Sequence, residues 1–414
     1  MLRASQATRI LLSLGLGLLL GIVGAWLAPA AALATSGYTQ PIGTAWLHGL
    51  QMTIVPLIVS LLVTGIGATA EAARAGRITA RAVLMIVVVL WSTTLMAAVV
   101  EPLILRLFPL PVGLSTALRS ALTQAKPVGT VPGLAAFFDT VVPANVVAAA
   151  AGDGFLPLTV FSLAFAFATT RLPEAQRTGF VAFFQATVDT LLIVIGWVLK
   201  LAPIGVGALA FGVGARTGTG AIGALVHYIA CVSAVGFIVI LAGYPVGAIG
   251  GRISLARFAR AVAPAQAVAI STQSSLACLP AMIEGSASLG AGRGIAGITL
   301  PLSVAIFRAT SPAMNLAVAL YIAHWLDVPI GPAQLAAGVA TAAVTTMSSV
   351  SLPGTISYVA SVAPVAIAMG IPIEPLGILI AVETIPDLFR TVGNVTMDVA
   401  VTVTVAARTK ADPG

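Results

Sequence analysis

Long apolar runs separated by short polar loops dominate the chain. A helix needs roughly 20 apolar residues to cross about 30 Å of hydrocarbon, so each run of that length predicts a membrane-spanning helix. Eight runs meet this criterion, at approximately 10–34, 43–70, 80–108, 130–170, 179–213, 221–249, 294–326 and 373–407. The pattern therefore predicts an all-α membrane protein with eight transmembrane helices.

Two further apolar stretches, at about 256–291 and 332–370, are interrupted near their middles by serine-rich segments that contain proline. Non-helical backbone at membrane depth is tolerated only where protein or a water-filled cavity surrounds it. These two stretches therefore predict re-entrant helical hairpins in place of simple spans.

The interrupting segments form an internal repeat, since residues 272–280 (TQSSLACLP) resemble residues 346–353 (TMSSVSLP) when one gap is allowed. Each copy is followed by a long span with a single arginine at membrane depth, Arg308 in one and Arg390 in the other. Repeats of broken hydrophobic segments place the binding site of many transporters at the membrane midplane, where free backbone N–H groups can hold anions. Chance recurrence of serine and proline pairs is the alternative explanation.

The composition supports a membrane location and excludes several other classes. The 414 residues are 59% hydrophobic and only 8% charged, which is too apolar for a soluble globular protein. The net charge of +7 does not indicate a nucleic-acid partner, because the basic residues are scattered in short loops and do not form a basic surface. Cys231 and Cys278 lie in apolar segments and predict neither a disulfide nor a metal site.

Basic residues also predict the orientation of the chain in the inner membrane. One side of the proposed topology collects Arg3, Arg9, Arg74, Arg77, Arg81, Arg171, Arg177, Arg252, Arg257, Arg260, Arg408 and Lys410. The other side holds Arg106, Arg119, Lys126 and Arg216. Because the cytoplasmic side carries the excess of arginine and lysine, both termini of this multi-pass protein are predicted to be cytoplasmic. We interpret the first apolar run as a retained span and not as a signal peptide.

A polar stripe runs along the last predicted span. Its members recur at helical spacing: Asp387, Arg390, Thr391, Asn394 and Asp398. An ionised group at the bilayer centre costs roughly 2.5–3.5 kcal/mol on insertion scales, so such residues normally face the protein interior and serve a function. Arg390 can bind a carboxylate through two parallel hydrogen bonds, and Asp387 can bind an ammonium beside it. The purely structural alternative is that Asp387 and Arg390 only pair with each other.

Five motifs make the chain resemble a known family over nearly its whole length. They are APIGV at 202–206, the Ser-Ser and Leu-Pro pairs within 274–280, LPL at 300–302, LPG at 352–354 and DLFRTVGNVTMD at 387–398. The chain resembles the dicarboxylate/amino acid:cation symporter family, which includes the glutamate transporters. This resemblance implies a homotrimer with an elevator mechanism. It assigns residues 1–75 (spans 1 and 2) and 111–215 (spans 4 and 5) to the scaffold, and residues 76–110 (span 3) and 216–414 (spans 6–8 and both hairpins) to the moving transport domain.

The resemblance also implies a binding site for an acidic amino acid. Arg390 would bind the side-chain carboxylate, Asp387 the amino group and Asn394 the main-chain carboxylate of the substrate. The remaining implied substrate-binding residues are Thr391, Ser274, Ser275, Pro353 and Gly354. The second hairpin would be the gate. Family members that carry plain C4-dicarboxylates lack the acid three residues before the arginine, so Asp387 favours aspartate or glutamate.

The seventh span departs from the family pattern. Phe307-Arg308-Ala309-Thr310-Ser311 stands where the family has Asn-Met-Asp-Gly-Thr, so the asparagine and aspartate that ligate sodium in relatives are absent. Sodium prefers several oxygen ligands, and the sequence therefore favours sodium-independent transport without any cofactor. Asp398 and Asn394 would be what is left of the family's sodium site. We expect Arg308 to act as a built-in cation that satisfies Asp398, and proton coupling is the other possibility for an ion.

Other function classes stay as alternatives. The first is a proton-coupled C4-dicarboxylate symporter, and a channel is also possible. A distant alternative is an intramembrane enzyme that uses Ser274 and His324, although no catalytic motif connects these residues. Glu101, in the third span, is either a proton site or a residue near the outer interface. The isolated histidines, such as His227, are either proton relays or interfacial residues.

Overall fold

The structure, a computed structural model, describes residues 6–74, 77–110, 144–151, 155–217, 220–348 and 355–411. All regular elements in these ranges are helices. The predicted all-α class is therefore confirmed for the described part of the chain.

Eight helices make up the described first half of the chain. They are α1 (Gln6–Leu27), α2 (Pro29–Gln51), α3 (Ile54–Arg74), α4 (Arg77–Leu107), α5 (Val146–Ala151), α6 (Phe155–Thr169), α7 (Glu174–Lys200) and α8 (Ala202–Thr217).

The helix boundaries here differ from the predicted spans. The predicted spans 10–34 and 43–70 cover three helices, because α1 ends at Leu27 and Pro29 begins α2. Proline is tolerated in a first helical turn, where its missing N–H has no intrahelical partner to lose. The predicted span 179–213 is likewise divided between α7 and α8. Part of the predicted span 130–170 lies outside the described residues.

Nine helices make up the described second half. They are α9 (Gly220–Gly251), α10 (Leu255–Thr272), α11 (Leu279–Ser288), α12 (Arg293–Ile306), α13 (Thr310–Leu326), α14 (Pro332–Ser348), α15 (Thr355–Ala368), α16 (Leu376–Leu379) and α17 (Thr384–Ala411).

Two predicted continuous helices of this half are broken. The prediction of one helix over 294–326 was wrong, because α12 ends at Ile306 and α13 begins at Thr310. The predicted span 373–407 contains the four-residue helix α16 and then α17, which begins at Thr384. Both breaks lie next to the polar residues that the sequence selected as functional.

The first predicted hairpin corresponds to two helices, α10 and α11. They are joined by residues 273–278, and Gln273, which caps the end of α10, has a left-handed backbone (φ 50°). The second predicted hairpin corresponds to α14 and α15, which pack against each other. The tip of this second hairpin, residues 349–354, lies outside the described residues.

Three helices of the described ranges are long and apolar enough to cross a membrane by themselves, Ile78–Leu107, Glu174–Lys200 and Ile222–Gly251. The breaks shorten several other apolar helices, and the polar stripe lowers the hydropathy of α17. The count of eight transmembrane helices stays a prediction.

Helix α13 lies at the centre of the second half. All but one of its residues from Thr310 to Trp325 are buried, as expected of a helix that is apolar on every side. It packs against α4, α9, α14, α15 and α17, while α17 packs most extensively against α9. In the first half, α8 packs against α1 and α2. The polar stripe of α17 is thus enclosed by helices from the second half and by α4.

Candidate functional site

The structure buries the whole polar stripe of α17. Asp387, Arg390, Thr391 and Asn394 are 5–7% exposed, and Asp398 is 0% exposed. A stripe of this polarity is stable inside a bundle only when its groups find partners or hold a ligand. Its partners therefore define the site.

Arg390 is paired with two acids. Its Nη2 lies 2.7 Å from Oε1 of Glu383, and its Nη1 lies 3.7 Å from Oδ1 of Asp387. Burial weakens the screening by water, so these charges act on each other strongly. The sequence had not singled out Glu383. It continues the stripe by one helical turn before Asp387, and extending the four-residue spacing backwards across Pro386 would have found it.

A chain of two tyrosine hydroxyls ends at the other oxygen of Glu383. The hydroxyl of Tyr228, on α9, donates to Oε2 of Glu383 at 3.1 Å, and it lies 3.0 Å from the hydroxyl of Tyr358 on α15. Because Tyr228 uses its only proton on Glu383, Tyr358 donates to the oxygen of Tyr228. This chain of hydrogen bonds fixes Glu383, and through Glu383 it fixes the guanidinium of Arg390.

Arg390 still has a donor available for a ligand. Its Nε has no hydrogen-bond partner among the described residues. A buried N–H without a partner is costly, and a charged donor binds a carboxylate about twice as strongly as a neutral donor does. The Nε donor of Arg390 and the carboxylate of Asp387 can therefore together bind a molecule that carries both an anionic and a cationic group.

The break between α12 and α13 faces the stripe. Oδ1 of Asn394 accepts the backbone N–H of Thr310 at 2.9 Å, so the asparagine caps the start of α13. The hydroxyl of Thr93, on α4, donates to the carbonyl of Ala309 at 2.8 Å. Two side chains from different helices thus satisfy one N–H and one carbonyl of the break. This leaves the amide nitrogen of Asn394 as a donor toward the site.

The start of α13 approaches α17 closely at Gly393. A Cβ atom at this position would clash with the side chain of Thr310. Glycine therefore allows the backbone contact that brings Asn394 to the helix start.

Arg308 lies in the break and is half-buried. It interacts electrostatically with Asp387, Arg390 and Asp398. The predicted direct contact with Asp398 does not form as a hydrogen bond, because neither carboxylate oxygen of Asp398 has such a partner in the described part of the chain. Arg308 therefore acts on Asp398 through its charge.

The ionisable residues around the break form a mixed cluster. We call it the arginine cluster, and it consists of Glu383, Asp387, Asp398, Arg308 and Arg390. Three carboxylates face two guanidinium groups, so the fully ionised cluster has one negative charge in excess. A ligand with a net negative charge would add to this excess, and a bound cation or proton would offset it.

The tip of the first hairpin lies beside the beginning of α17. The side-chain amide of Gln273 donates to the carbonyl of Thr384 at 3.4 Å. Ser274 and Ser275 are half-buried, and the hydroxyl of Ser274 accepts the N–H of Ala277 within the tip itself. Pro353 and Gly354 lie outside the described residues. The described part of the chain shows no group of three or more histidine, cysteine or acidic residues that could hold a metal ion.

The chain matches the family described as the sodium:dicarboxylate symporter family over residues 7–408. It is 26% identical to the proton/glutamate-aspartate symporter of Escherichia coli (strain K12) over 407 residues, which cover 95% of this chain and 90% of that protein. It is 27% identical to the proton/sodium-glutamate symport protein of Bacillus subtilis (strain 168), with 94% and 89% covered. It is also 26% identical to the C4-dicarboxylate transport protein 2 of Bradyrhizobium sp. (strain ORS 278), with 92% and 84% covered.

Proposed function

Because the chain belongs to the sodium:dicarboxylate symporter family, we propose that it carries aspartate or glutamate across the inner membrane as a secondary active transporter. The family and the similar proteins are transporters and not enzymes. The alternative of an intramembrane enzyme is therefore set aside.

The pairing of Arg390 with Asp387 carries this proposal. An acidic amino acid has a side-chain carboxylate and an ammonium group. Nε of Arg390 has no hydrogen-bond partner among the described residues, and Nη1 of the same group lies 3.7 Å from Oδ1 of Asp387. Arg390 binds the side-chain carboxylate, Asp387 binds the ammonium, and the amide nitrogen of Asn394 binds the main-chain carboxylate. Thr391 and the hairpin-tip residues Ser274, Ser275, Pro353 and Gly354 complete the site.

Transport proceeds by an elevator movement in a homotrimer, with the second hairpin as the gate. The packing supports a division of the chain, since α1, α2 and α8 contact one another while α4 packs with α9, α13 and α17. In this proposal, eight transmembrane helices and two re-entrant hairpins lie in the inner membrane with both termini in the cytoplasm. The scaffold comprises residues 1–75 and 111–215.

Transport does not require sodium, because the charge of Arg308 stands in for the ion. Arg308 acts on Asp387 and Asp398 from the broken segment, and Phe307 and Ala309 beside it offer no side-chain oxygen to a cation. Its fixed charge also favours an anionic substrate nearby.

Uptake into proteoliposomes tests the transported substrate. Radiolabelled L-aspartate should accumulate, unlabelled L-glutamate should compete for it, and preloaded unlabelled aspartate should accelerate it by counterflow. Competition by succinate or malate that exceeds competition by glutamate would favour the proton-coupled C4-dicarboxylate alternative. Flux without saturation or counterflow would identify a channel.

Binding in choline buffer and in sodium buffer tests the role of Arg308. The parent protein should bind aspartate equally in both buffers. Arg308→Met should weaken binding in choline, whereas Arg293→Met, at the exposed first residue of α12, should not. A strong sodium requirement in the parent protein would contradict the substitution of an ion by Arg308.

A further inference from the structure

The carboxyl group of Glu101 lies buried outside the arginine cluster. Glu101 is in α4 and is 0% exposed, and neither of its carboxylate oxygens has a hydrogen-bond partner in the described part of the chain. An ionised carboxylate in this situation would lose its hydration without compensation, which costs far more than burial of the neutral acid. The neutral carboxyl is the form that this position tolerates, so Glu101 is suited to bind a proton.

In the described part of the chain, no arginine or lysine of the helices packed against α4 pairs with Glu101. These helices are α3, α9, α12, α13, α14 and α17. Cys231 of α9 and Tyr321 of α13 lie within charge-interaction range of Glu101, and neither is cationic. The titratable residues of the other elements lie in the last turn of α3 (Glu71, Arg74), at the start of α12 (Arg293) and on α17, in the stripe and near the helix end (Arg408, Lys410), while α14 has none. On α4 itself, Arg77 and Arg81 lie in the first two turns, far along the helix from Glu101, and Arg106 is exposed.

A hydrogen-bonded path leads from Tyr321 to the rim of the bundle. Tyr321 interacts with Glu101 through charge, and no hydrogen bond joins the two side chains. The hydroxyl of Tyr321 lies 3.0 Å from Nδ1 of His227 and 3.2 Å from the carbonyl oxygen of Ala224. Nε2 of His227 lies 2.8 Å from the carbonyl oxygen of Phe108, an exposed residue just after α4. His227 is half-buried and thus stands between the interior and the surface.

The path satisfies both protonation states of His227. In the neutral imidazole, Nε2–H donates to Phe108 and Nδ1 accepts the hydroxyl proton of Tyr321. In the imidazolium, both nitrogens donate, and the hydroxyl of Tyr321 turns to the carbonyl of Ala224. The described partners of His227 and Tyr321 thus provide a hydrogen bond for each ring nitrogen in both states.

We propose that Glu101 is the proton-binding site of this transporter and that His227 and Tyr321 connect it to the surface. In the transfer, the hydroxyl of Tyr321 turns from the carbonyl of Ala224 to the carboxylate of Glu101 and gives its proton to it, while the oxygen of Tyr321 takes up the Nδ1 proton of the imidazolium at His227. The carboxylate of Glu101 becomes a carboxyl, and no other bond changes. This inference rests on the proposed function, and it names the ion that accompanies the substrate.

Two helices connect this proton site with the arginine cluster. Thr93 lies two turns before Glu101 on α4 and holds the carbonyl of Ala309. Tyr321 lies on α13, whose first N–H is held by Asn394. The proton adds one positive charge to a protein whose substrate cluster already has an excess negative charge, and it thereby favours binding of an anionic amino acid.

The dependence of aspartate affinity on pH tests the proton site. If the substrate-bound form holds a proton at Glu101, aspartate affinity should be constant at pH values where the substrate-free protein already holds this proton. At higher pH, the affinity of the parent protein should fall by up to about tenfold per pH unit. Glu101→Gln should make the affinity independent of pH in this range. Glu284→Gln, at an exposed acid, should behave as the parent protein, and Glu101→Asp should keep the pH dependence. An unchanged pH dependence in Glu101→Gln would overturn the proposal.

Infrared spectroscopy of the substrate-free protein provides a test that does not need transport. The infrared spectrum of the parent protein at neutral pH, minus that of Glu101→Gln, should contain the carbonyl band of a protonated carboxyl group. This band should vanish at the pH where the aspartate affinity of the parent protein begins to fall. A difference spectrum with carboxylate bands alone would refute the proposal. If aspartate does not bind to the parent protein at all, the proposed function fails, and the infrared result still decides the protonation of Glu101.

His227→Gln separates the path from the proton site. It should slow uptake driven by a pH gradient while the pH dependence of aspartate affinity stays as in the parent protein. If His227→Gln abolishes that pH dependence as Glu101→Gln does, the proton binds at His227 and the assignment to Glu101 is wrong.

Discussion

The molecule buries acidic groups in two regions that differ in their partners. In the arginine cluster, Glu383 and Asp387 face the guanidinium of Arg390, and Arg308 adds a second positive charge. In the region of Glu101, the neighbours are a cysteine and a tyrosine, and no hydrogen bond reaches the carboxyl group in the described part of the chain. The first region suits a charged substrate, and the second suits a proton.

The difference follows from the cost of burying charge. A buried ion pair with good hydrogen bonds can keep both charges, and removal of one partner leaves an uncompensated ion. A single buried acid can avoid this cost by holding a proton. Substitutions that remove a cation should therefore be severe in the arginine cluster, whereas the neutral isostere at Glu101 should leave folding intact.

The largest effect is expected for Arg390→Ala. This change removes the carboxylate-binding group and leaves Glu383 and Asp387 buried without their partner, which typically costs about 3–5 kcal/mol. Aspartate affinity, measured by calorimetry, should fall by at least about 100-fold. Arg293→Ala, at an exposed arginine, serves as the control. Aspartate affinity within about threefold of the parent value would contradict the role of Arg390.

A smaller and selective effect is expected for Asp387→Ala. The carboxylate of Asp387 has an ammonium to bind only when the substrate is an amino acid, and a hydrogen bond to a charged group contributes about 1.5–3 kcal/mol. Aspartate affinity should therefore fall by about 10- to 100-fold, while succinate and malate should lose less. Competition binding with the three compounds checks this. Equal losses for all three would mean that Asp387 only positions Arg390.

The stripe of α17 was predictable from sequence, whereas Glu383 and the helix breaks were not predicted. Spacing of three and four residues is a local property of the chain, so the sequence alone places Asp387, Arg390 and Asn394 on one helical face. Glu383 lies beyond Pro386, which interrupts the stripe in sequence although the helix continues through it from Thr384. The tyrosines that fix Glu383 come from α9 and α15, and such long-range contacts leave no local signal.

The sequence does contain one indication of the helix break at Arg308, although it lies within a continuous apolar run. Pro312 is the third residue of α13, and proline is tolerated in a first helical turn but not in a helix interior. Pro312 therefore favours a helix start near Thr310, within the run that hydropathy alone reads as one span. The partners of the break, Thr93 and Asn394, belong to distant segments, so sequence could not assign their roles in capping.

Glu383→Gln should reduce aspartate affinity by several-fold to about tenfold. Glutamine keeps an oxygen that accepts from Tyr228 but removes the charge that holds Arg390 in place. Tyr358→Phe is the matched control, because it removes only the outer hydroxyl of the hydrogen-bond chain that ends at Glu383. It should reduce aspartate affinity less than Glu383→Gln does. Tighter binding in Glu383→Gln would show that Glu383 competes with the substrate for the guanidinium. In that case Glu383 occupies the guanidinium of Arg390 in the substrate-free protein, and the substrate has to displace it.

The smallest effect is expected for Thr93→Val, which tests whether the two acidic regions are coupled through α4. Valine keeps the shape of threonine but cannot donate to the carbonyl of Ala309, and loss of a hydrogen bond to a buried carbonyl costs about 0.5–1.5 kcal/mol. The free energy of unfolding should fall by this amount, and aspartate affinity should fall by a few-fold, because the break that positions Arg308 becomes looser. Thr94→Val is the control, since within the described residues the hydroxyl of Thr94 bonds to the carbonyl of Leu90 in its own helix and to no other helix. If Thr93→Val lowers aspartate affinity no more than Thr94→Val does, α4 does not support the substrate site through this bond. The coupling of Glu101 to the arginine cluster would then have to run through α13 alone.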